Sequence, residues 1–170
     1  MQHDAYIALG SNLSDPLAQI GSAIAQISGL NQTQLLAWST PQWYAAVGGP
    51  PGQPDYLNSA AHLKTELSAA ELFCALMDIE NRHGRRRGGE PKNSPRTLDL
   101  DILFFDDCQI RNATMTIPHP RIAERLFVLE PLVAIAPQFI HPSANLTVAE
   151  LLKRLDRGCP WQAAEGAQGI

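Results

Sequence analysis

Asp99 and Asp101 stand two residues apart in Thr97-Leu98-Asp99-Leu100-Asp101-Ile102-Leu103. In an extended strand, residues two apart share a face, so both carboxylates project together while Leu98, Leu100 and Ile102 turn to the core. Their Cα atoms would lie roughly 6.6 Å apart, close enough to share one Mg2+ or to bridge two ions roughly 4 Å apart. Mg2+ keeps waters and shares substrate phosphates, so two protein carboxylates suffice for it. A lone Asp-x-Asp is more often the polar face of an ordinary strand. The preceding loop alters that balance: from Arg82 to Arg96 it holds six of the thirteen Lys and Arg, with Glu90 its only acid. Arg85, Arg86, Arg87, Lys92 and Arg96 can make forked or point contacts to phosphate oxygens, and Gly88-Gly89 lets the loop fold over a ligand. A charge run alone is usually a solvated face, and this one has no aromatic for base stacking. Beside the aspartates, a metal-chelated polyphosphate is the better reading. The sequence has no GxxxxGK[ST] loop, so phosphates must be held by arginine, histidine and metal.

Other residue types add smaller signals. His119, between Pro118 and Pro120, could donate to a phosphate, although a lone histidine is more often structural. Tyr56 and Asn58 share a strand face just after the Gly/Pro-rich stretch Val47–Asp55, offering an aromatic plane and an amide that can read a flat heterocycle. Trp38, Trp43 and Phe127 are expected in the core.

The elements that must position these groups are legible in outline. Ala5 to Leu9 reads as a buried strand stopped by Gly10-Ser11-Asn12. Asp15-Pro16 starts a helix with Leu17, Ile20, Ile24 and Ile27 at helical spacing, ending near Gly29. Gln34 to Tyr44 is a weaker strand broken by Pro41, and Tyr56 to Leu67 a stronger one. Ser68 and Glu71 form a capping box for a second helix that Gly84 stops. The strand Thr97 to Phe105 follows the cationic loop, and Met115 to Ile117 is placed to pair back. Arg121 to Ile135 is helical with an interruption at Pro131, and Thr147 with Glu150 caps a last helix through Leu155. The pattern predicts an α+β sandwich, a mostly antiparallel sheet backed by helices with long functional loops. One domain over 1–157 and a poorly structured tail at 158–170 are expected.

Bulk properties narrow the partners. Net charge −4 and a pI near 5.7 argue against a general nucleic-acid binder. Cys74, Cys108 and Cys159 lack metal-ligand spacing and suit a reducing compartment. There is no basic-then-apolar leader, and no uncharged run approaches the roughly 20 residues of a membrane span. A cytoplasmic monomer that binds small molecules, without membrane or nucleic acid, is the expectation.

Taken in order, these residues resemble the 6-hydroxymethyl-7,8-dihydropterin pyrophosphokinase family. The resemblance runs through Tyr6-Ile7-Ala8-Leu9-Gly10-Ser11-Asn12-Leu13, Gln53-Pro54-Asp55-Tyr56-Leu57-Asn58, Pro95-Arg96-Thr97-Leu98-Asp99-Leu100-Asp101-Ile102-Leu103 and Pro118-His119-Pro120-Arg121 with Arg125 and Phe127. It implies a ferredoxin-like fold and transfer of pyrophosphate from ATP to the pterin hydroxymethyl group, leaving AMP, with two Mg2+ ions. By position, it implies that Asp99 and Asp101 hold metal and that Arg85 and Arg96 are catalytic-loop arginines. Glu80, Arg87, Ile102, Thr116, His119 and Arg125 fall where nucleotide contacts lie. Tyr56 and Phe127 match the aromatics that sandwich the pterin, Asn58 the amide that reads its edge, and Gly48 a backbone contact.

Departures from that pattern are local. Ala45 and Ala46 replace the Thr and Pro that often precede the pterin-loop glycine, and Asn93-Ser94 offers no stacking surface before Pro95. Two other classes compete. An RNA-binding ferredoxin-like domain would carry aromatics where Asp99 and Asp101 stand. A pterin- or nucleotide-binding module without turnover would keep the pocket and lose the chemistry.

Overall fold

The computed structural model describes residues 1–84 and 93–163. The first strand, β1 (His3–Ser11), is the centre of the main sheet and longer than its apolar heart predicts. Helix α1 (Pro16–Ser28) follows, with the Asp15 carboxylate accepting from the Ala18 N–H at 3.3 Å and Pro16 where its missing N–H is harmless. Pro41 divides the next extended segment into β2 (Thr33–Trp38) and β3 (Gln42–Tyr44). Both pair with β4 (Tyr56–Thr65). Helix α2 (Ala69–Arg82) carries the complete Ser68/Glu71 capping box, and β5 (Asp99–Phe105) closes the core unit.

Strand order is β2-β4-β1-β5, with every neighbour antiparallel and β3 extending the β2 side of β4. Two β-α-β halves interleaved in this way make the ferredoxin-like sandwich. Alternation along the strands sends Ile7, Leu9, Leu63 and Leu100 to the face covered by α1 and α2. The opposite face carries Tyr6, Ala60, Leu103 and Phe104, and it is covered as well. There sit a single 3-10 turn (Ile122–Glu124), α3 (Leu126–Ile135) and α4 (Val148–Asp156). Two small ribbons complete the fold: β6 (Ile110–Arg111) with β7 (Thr116–Ile117), and β8 (Ile140–His141) with β9 (Leu146–Thr147).

Some expectations are corrected or refined. The break in the Arg121–Ile135 segment falls at Arg125, whose backbone is extended (φ −118, ψ 106), while Pro131 lies inside α3. Trp38 and Trp43 are not core residues but 40% and 59% exposed, because α1 and α2 cover the middle of the sheet and leave this margin open. Phe127, only partly buried, packs against the second core and also lines a cavity. β5 also carries a bulge: Tyr6 pairs Phe104 and Ile7 pairs Ile102, so the extra residue Leu103 joins Phe104 on one face. The bulge lies beyond Asp101 and leaves the two aspartates in register with Ala8 and Gly10.

Candidate active site

Above the β1–β5 pair, on the α3 side, opens a cavity of about 770 Å3. Its floor is Ala8, Leu9 and Gly10 of β1 with Asp99, Asp101 and Leu103 of β5. The strand periodicity thus puts both carboxylates into one space. β5 is an edge strand, and α2 pins it between them: the buried Glu80, 1% exposed, accepts the Leu100 N–H at 2.7 Å. Glu80 thus supports the site through the backbone it holds and is not among the residues lining this cavity.

A cationic wall faces the aspartates. Arg96 Nη1 lies 3.1 Å from Asp99 Oδ2, and Arg125, Arg121 and His119 line the same space. His119 follows the cis Ile117–Pro118 bond, and its backbone N–H donates to Leu103 at 3.0 Å. Burial, reinforced by the Arg125 charge, pushes its imidazole down to about 4 against the opposing pull of Asp99. The ring is therefore neutral at pH 7, and it offers its Nδ1 to the Arg121 N–H at 3.2 Å. Burial and then Arg121 lower the Arg125 guanidinium from its ordinary value. Arg121 is in turn held by Glu124 at 2.5 Å.

The rest of the cavity lining carries two aromatic rings and several small or apolar residues. Tyr56 and Asn58 come from β4, Phe127 from the first turn of α3, and Ala45, Val47 and Gly48 from the loop after β3. Arg125 sits over the Phe127 ring at 5.6 Å. Asn58 is 7% exposed, and its Nδ2 finds no hydrogen-bond partner among the described residues. A buried amide without a partner costs about 1–3 kcal/mol, so a ligand that accepts from it is the natural complement. Gly10 makes room for that side chain: a Cβ there would meet Asn58 Oδ1 at 2.9 Å.

A short polar network ties the loops around this space. Asn12, at the exit of β1, donates its N–H to the Arg96 carbonyl at 3.0 Å and accepts the Arg96 N–H at 2.8 Å. Its amide donates to Gln53 Oε1 at 3.1 Å and to the Pro54 carbonyl at 3.0 Å. Gln53 Nε2 donates to the carbonyls of Gly48 and Asn93 at 2.9 and 3.1 Å. Tyr56 Oη donates to the Ser94 carbonyl at 3.1 Å. At Gly49 a Cβ would fall 2.1 Å from the Asn93 carbonyl, so only glycine permits this approach.

Of the residues singled out in the sequence, the cavity collects Gly48, Tyr56, Asn58, Arg96, Asp99, Asp101, His119, Arg125 and Phe127. Ile102 does not enter it, since its side chain lies in the core on the α1–α2 face. Thr116 is exposed on β7, paired with Arg111, and is not part of the lining. Arg85 and Arg87 lie outside the described residues. Arg121, Glu124 and the loop-tying Asn12 and Gln53 are additions. Asn12, Gln53 and Arg121 all lie in the stretches that carry the family resemblance, and Asn12 stands out as a polar residue only 3% exposed at the exit of β1. Among the described residues no three His, Cys, Asp or Glu gather into a metal site.

The fold and the cleft define an α+β protein in which paired carboxylates and arginines face an aromatic slot. Residues 6–137 match the family model of 7,8-dihydro-6-hydroxymethylpterin-pyrophosphokinase (HPPK), and the chain belongs to that family. It is similar to the 2-amino-4-hydroxy-6-hydroxymethyldihydropteridine pyrophosphokinase of Synechocystis, 37% identical over 98% of this chain and 83% of the relative. The Haemophilus influenzae protein of the same name is 44% identical, covering 88% of this chain and 91% of its own length. A solved HPPK-DHPS in complex with substrates shares the fold, with a TM-score of 0.69 at 13% identity over 93% of this chain. This chain spans 44% of that one, and 20% of the Schizosaccharomyces pombe "Folic acid synthesis protein fol1".

Proposed function

We propose that this chain transfers pyrophosphate from ATP to 6-hydroxymethyl-7,8-dihydropterin, giving AMP and the pterin diphosphate, as a step of folate biosynthesis. Family membership supports the reaction, and the single observation that carries its assignment to this cleft is the amide of Asn58, unpartnered among the described residues, in a cavity that Tyr56 and Phe127 also line. Such a slot takes a flat heterocycle with hydrogen-bonding edges. The nucleotide's phosphates then lie toward Arg96, Arg125 and His119, and the Gly48 backbone borders the heterocycle.

The hydroxymethyl oxygen attacks the β-phosphorus, a new O–P bond forms, and the bond from the β-phosphorus to the α,β-bridging oxygen breaks. AMP departs with that electron pair, and the alcohol proton passes to solvent. Arg96 and Arg125 balance the charge on the transferring group, and neutral His119 can donate one hydrogen bond to it. The same role falls to Arg85, with Arg87 on the nucleotide, when the cationic loop is included. Asp99 and Asp101 fit Mg2+, because two carboxylates on one face suffice when phosphate oxygens complete the shell. Bound there, Mg2+ would neutralise phosphate charge. Arg96, 3.1 Å from Asp99, lines the same cavity as both carboxylates and so stands within reach of phosphates bound there.

No helix among the described residues is long and apolar enough to cross a membrane. Free Cys74, Cys108 and Cys159 suit the reducing cytoplasm, and a monomer suffices because one chain builds the whole cleft. The test is incubation with ATP, Mg2+ and hydroxymethyl-dihydropterin. AMP formed only when the pterin is present supports the reading, whereas ADP, or no nucleotide product, rejects it.

A further inference from the structure

We infer that Tyr44 and Glu130 form a clasp that sets the width of the aromatic slot, making Tyr44 a positioning residue for the flat substrate. This deepens the proposed function and rests on it. Tyr44 is the last residue of β3, and its hydroxyl donates to Glu130 Oε2 at 2.7 Å, across 86 residues of chain. Glu130 lies three residues after Phe127 on α3, so the two share one side of the helix. In the other direction Tyr44 is the register partner of Tyr56 on β4. Its ring centroid also stands 6.4 Å from that of Phe127 at 58°. One side chain thus touches the supports of both slot walls.

The need for a clasp follows from how little else holds this margin. β3 is three residues long, it lies at the edge of the sheet, and the next residue, Ala45, already lines the cavity. A three-residue edge pairing is weak alone, and the loop beyond it runs through three glycines with positive φ, Gly48, Gly49 and Gly52. On the far side, the Arg125 break leaves Phe127 in the first turn of α3, where helix order is least secure. Joining β3 to α3 through Glu130 closes the structure from Tyr56 to Phe127. Burial, followed by the Glu130 contact, raises the Tyr44 phenol above its ordinary range, so it remains a donor at every working pH. The clasp touches neither the aspartates nor the arginine wall, so it acts on the heterocycle and not on the nucleotide.

The test uses the full chain with Tyr44→Phe, Glu130→Ala, Glu130→Gln and the Tyr44→Phe/Glu130→Ala pair. Steady-state kinetics are measured for both substrates, and pterin binding is measured by calorimetry. Tyr44→Phe is expected to raise the pterin KM and Kd about 5- to 10-fold, in line with a lost charge-assisted hydrogen bond. The ATP KM and kcat are expected to stay within twofold. Glu130→Gln, which keeps an acceptor, restores most of the affinity, and the double variant is no worse than either of its components. Unchanged pterin affinity in Tyr44→Phe overturns the clasp, as does an equal rise in both KM values. Wild-type protein that binds the pterin without releasing AMP defeats the proposed reaction instead, while the calorimetry still decides the clasp.

Discussion

Asn58→Leu should move stability and binding in opposite directions. Leucine has the same number of side-chain heavy atoms in the same branched shape, so it fits where Gly10 leaves space, and it removes a buried Nδ2 that has no partner among the described residues. Relief of that desolvation cost, about 1–3 kcal/mol, stabilises the free protein. For a chain of this length about 2 kcal/mol corresponds to roughly 4–8 °C in Tm. The same change strips the slot of its donor. A bound heterocycle then keeps an acceptor in apolar surroundings at a similar cost of about 2 kcal/mol, which is roughly a 30-fold weaker Kd. Differential scanning calorimetry of the ligand-free protein and titration with hydroxymethyl-dihydropterin read the two arms. A variant that melts lower than wild type while binding the pterin unchanged would refute the reasoning, since the amide would then serve the fold and not the ligand.

Further outcomes follow from other groups. Asp101→Ala is expected to fold normally by circular dichroism and to lose at least about 100-fold in AMP release, because metal and phosphate charge go unbalanced; wild-type-like turnover in Mg2+ would remove the metal assignment. Gly49→Ala drives a Cβ to within 2.1 Å of the Asn93 carbonyl and should weaken pterin binding at least tenfold in the same titration. Gly21→Ala, in α1 with nothing within 4 Å, should instead stabilise by about 0.5–1 kcal/mol in urea melts. His141, buried against Phe104 and Trp161, has an imidazole pushed down by burial to about 4. The unfolded chain therefore binds a proton between pH 6.5 and 4 that the folded one refuses, and stability falls as pH drops through that window, by up to ~3 kcal/mol. Denaturant midpoints for His141→Gln should be flatter over the same range than those of the wild type.

Much of this site is readable from local pattern. Period-two alternation alone sends Asp99 and Asp101 to one face, and the same rule separates Tyr56 and Asn58 from Leu57 and Ser59. Caps and breakers place α1, α2 and α4 to within a residue or two. What escapes is decided by distant packing. Trp38 and Trp43 carry every mark of core residues, and their exposure depends on how far two helices reach across a sheet. Pro131 is tolerated because α3 is short and packed on the second core, whereas the real break at Arg125 serves to turn Phe127 into the cleft. Ile102 sits one residue from Asp101 and so faces away from it, which motif position alone does not convey. The Tyr44–Glu130 contact spans 86 residues and leaves no trace in local spacing.

The central claim, that both terminal phosphates move together from ATP to the pterin in this cleft, is tested most directly by 31P NMR of the reaction mixture. Two mutually coupled resonances on the pterin product should rise in step with AMP, and both should vanish in Asp101→Ala. A single uncoupled pterin phosphate accompanied by ADP would contradict it.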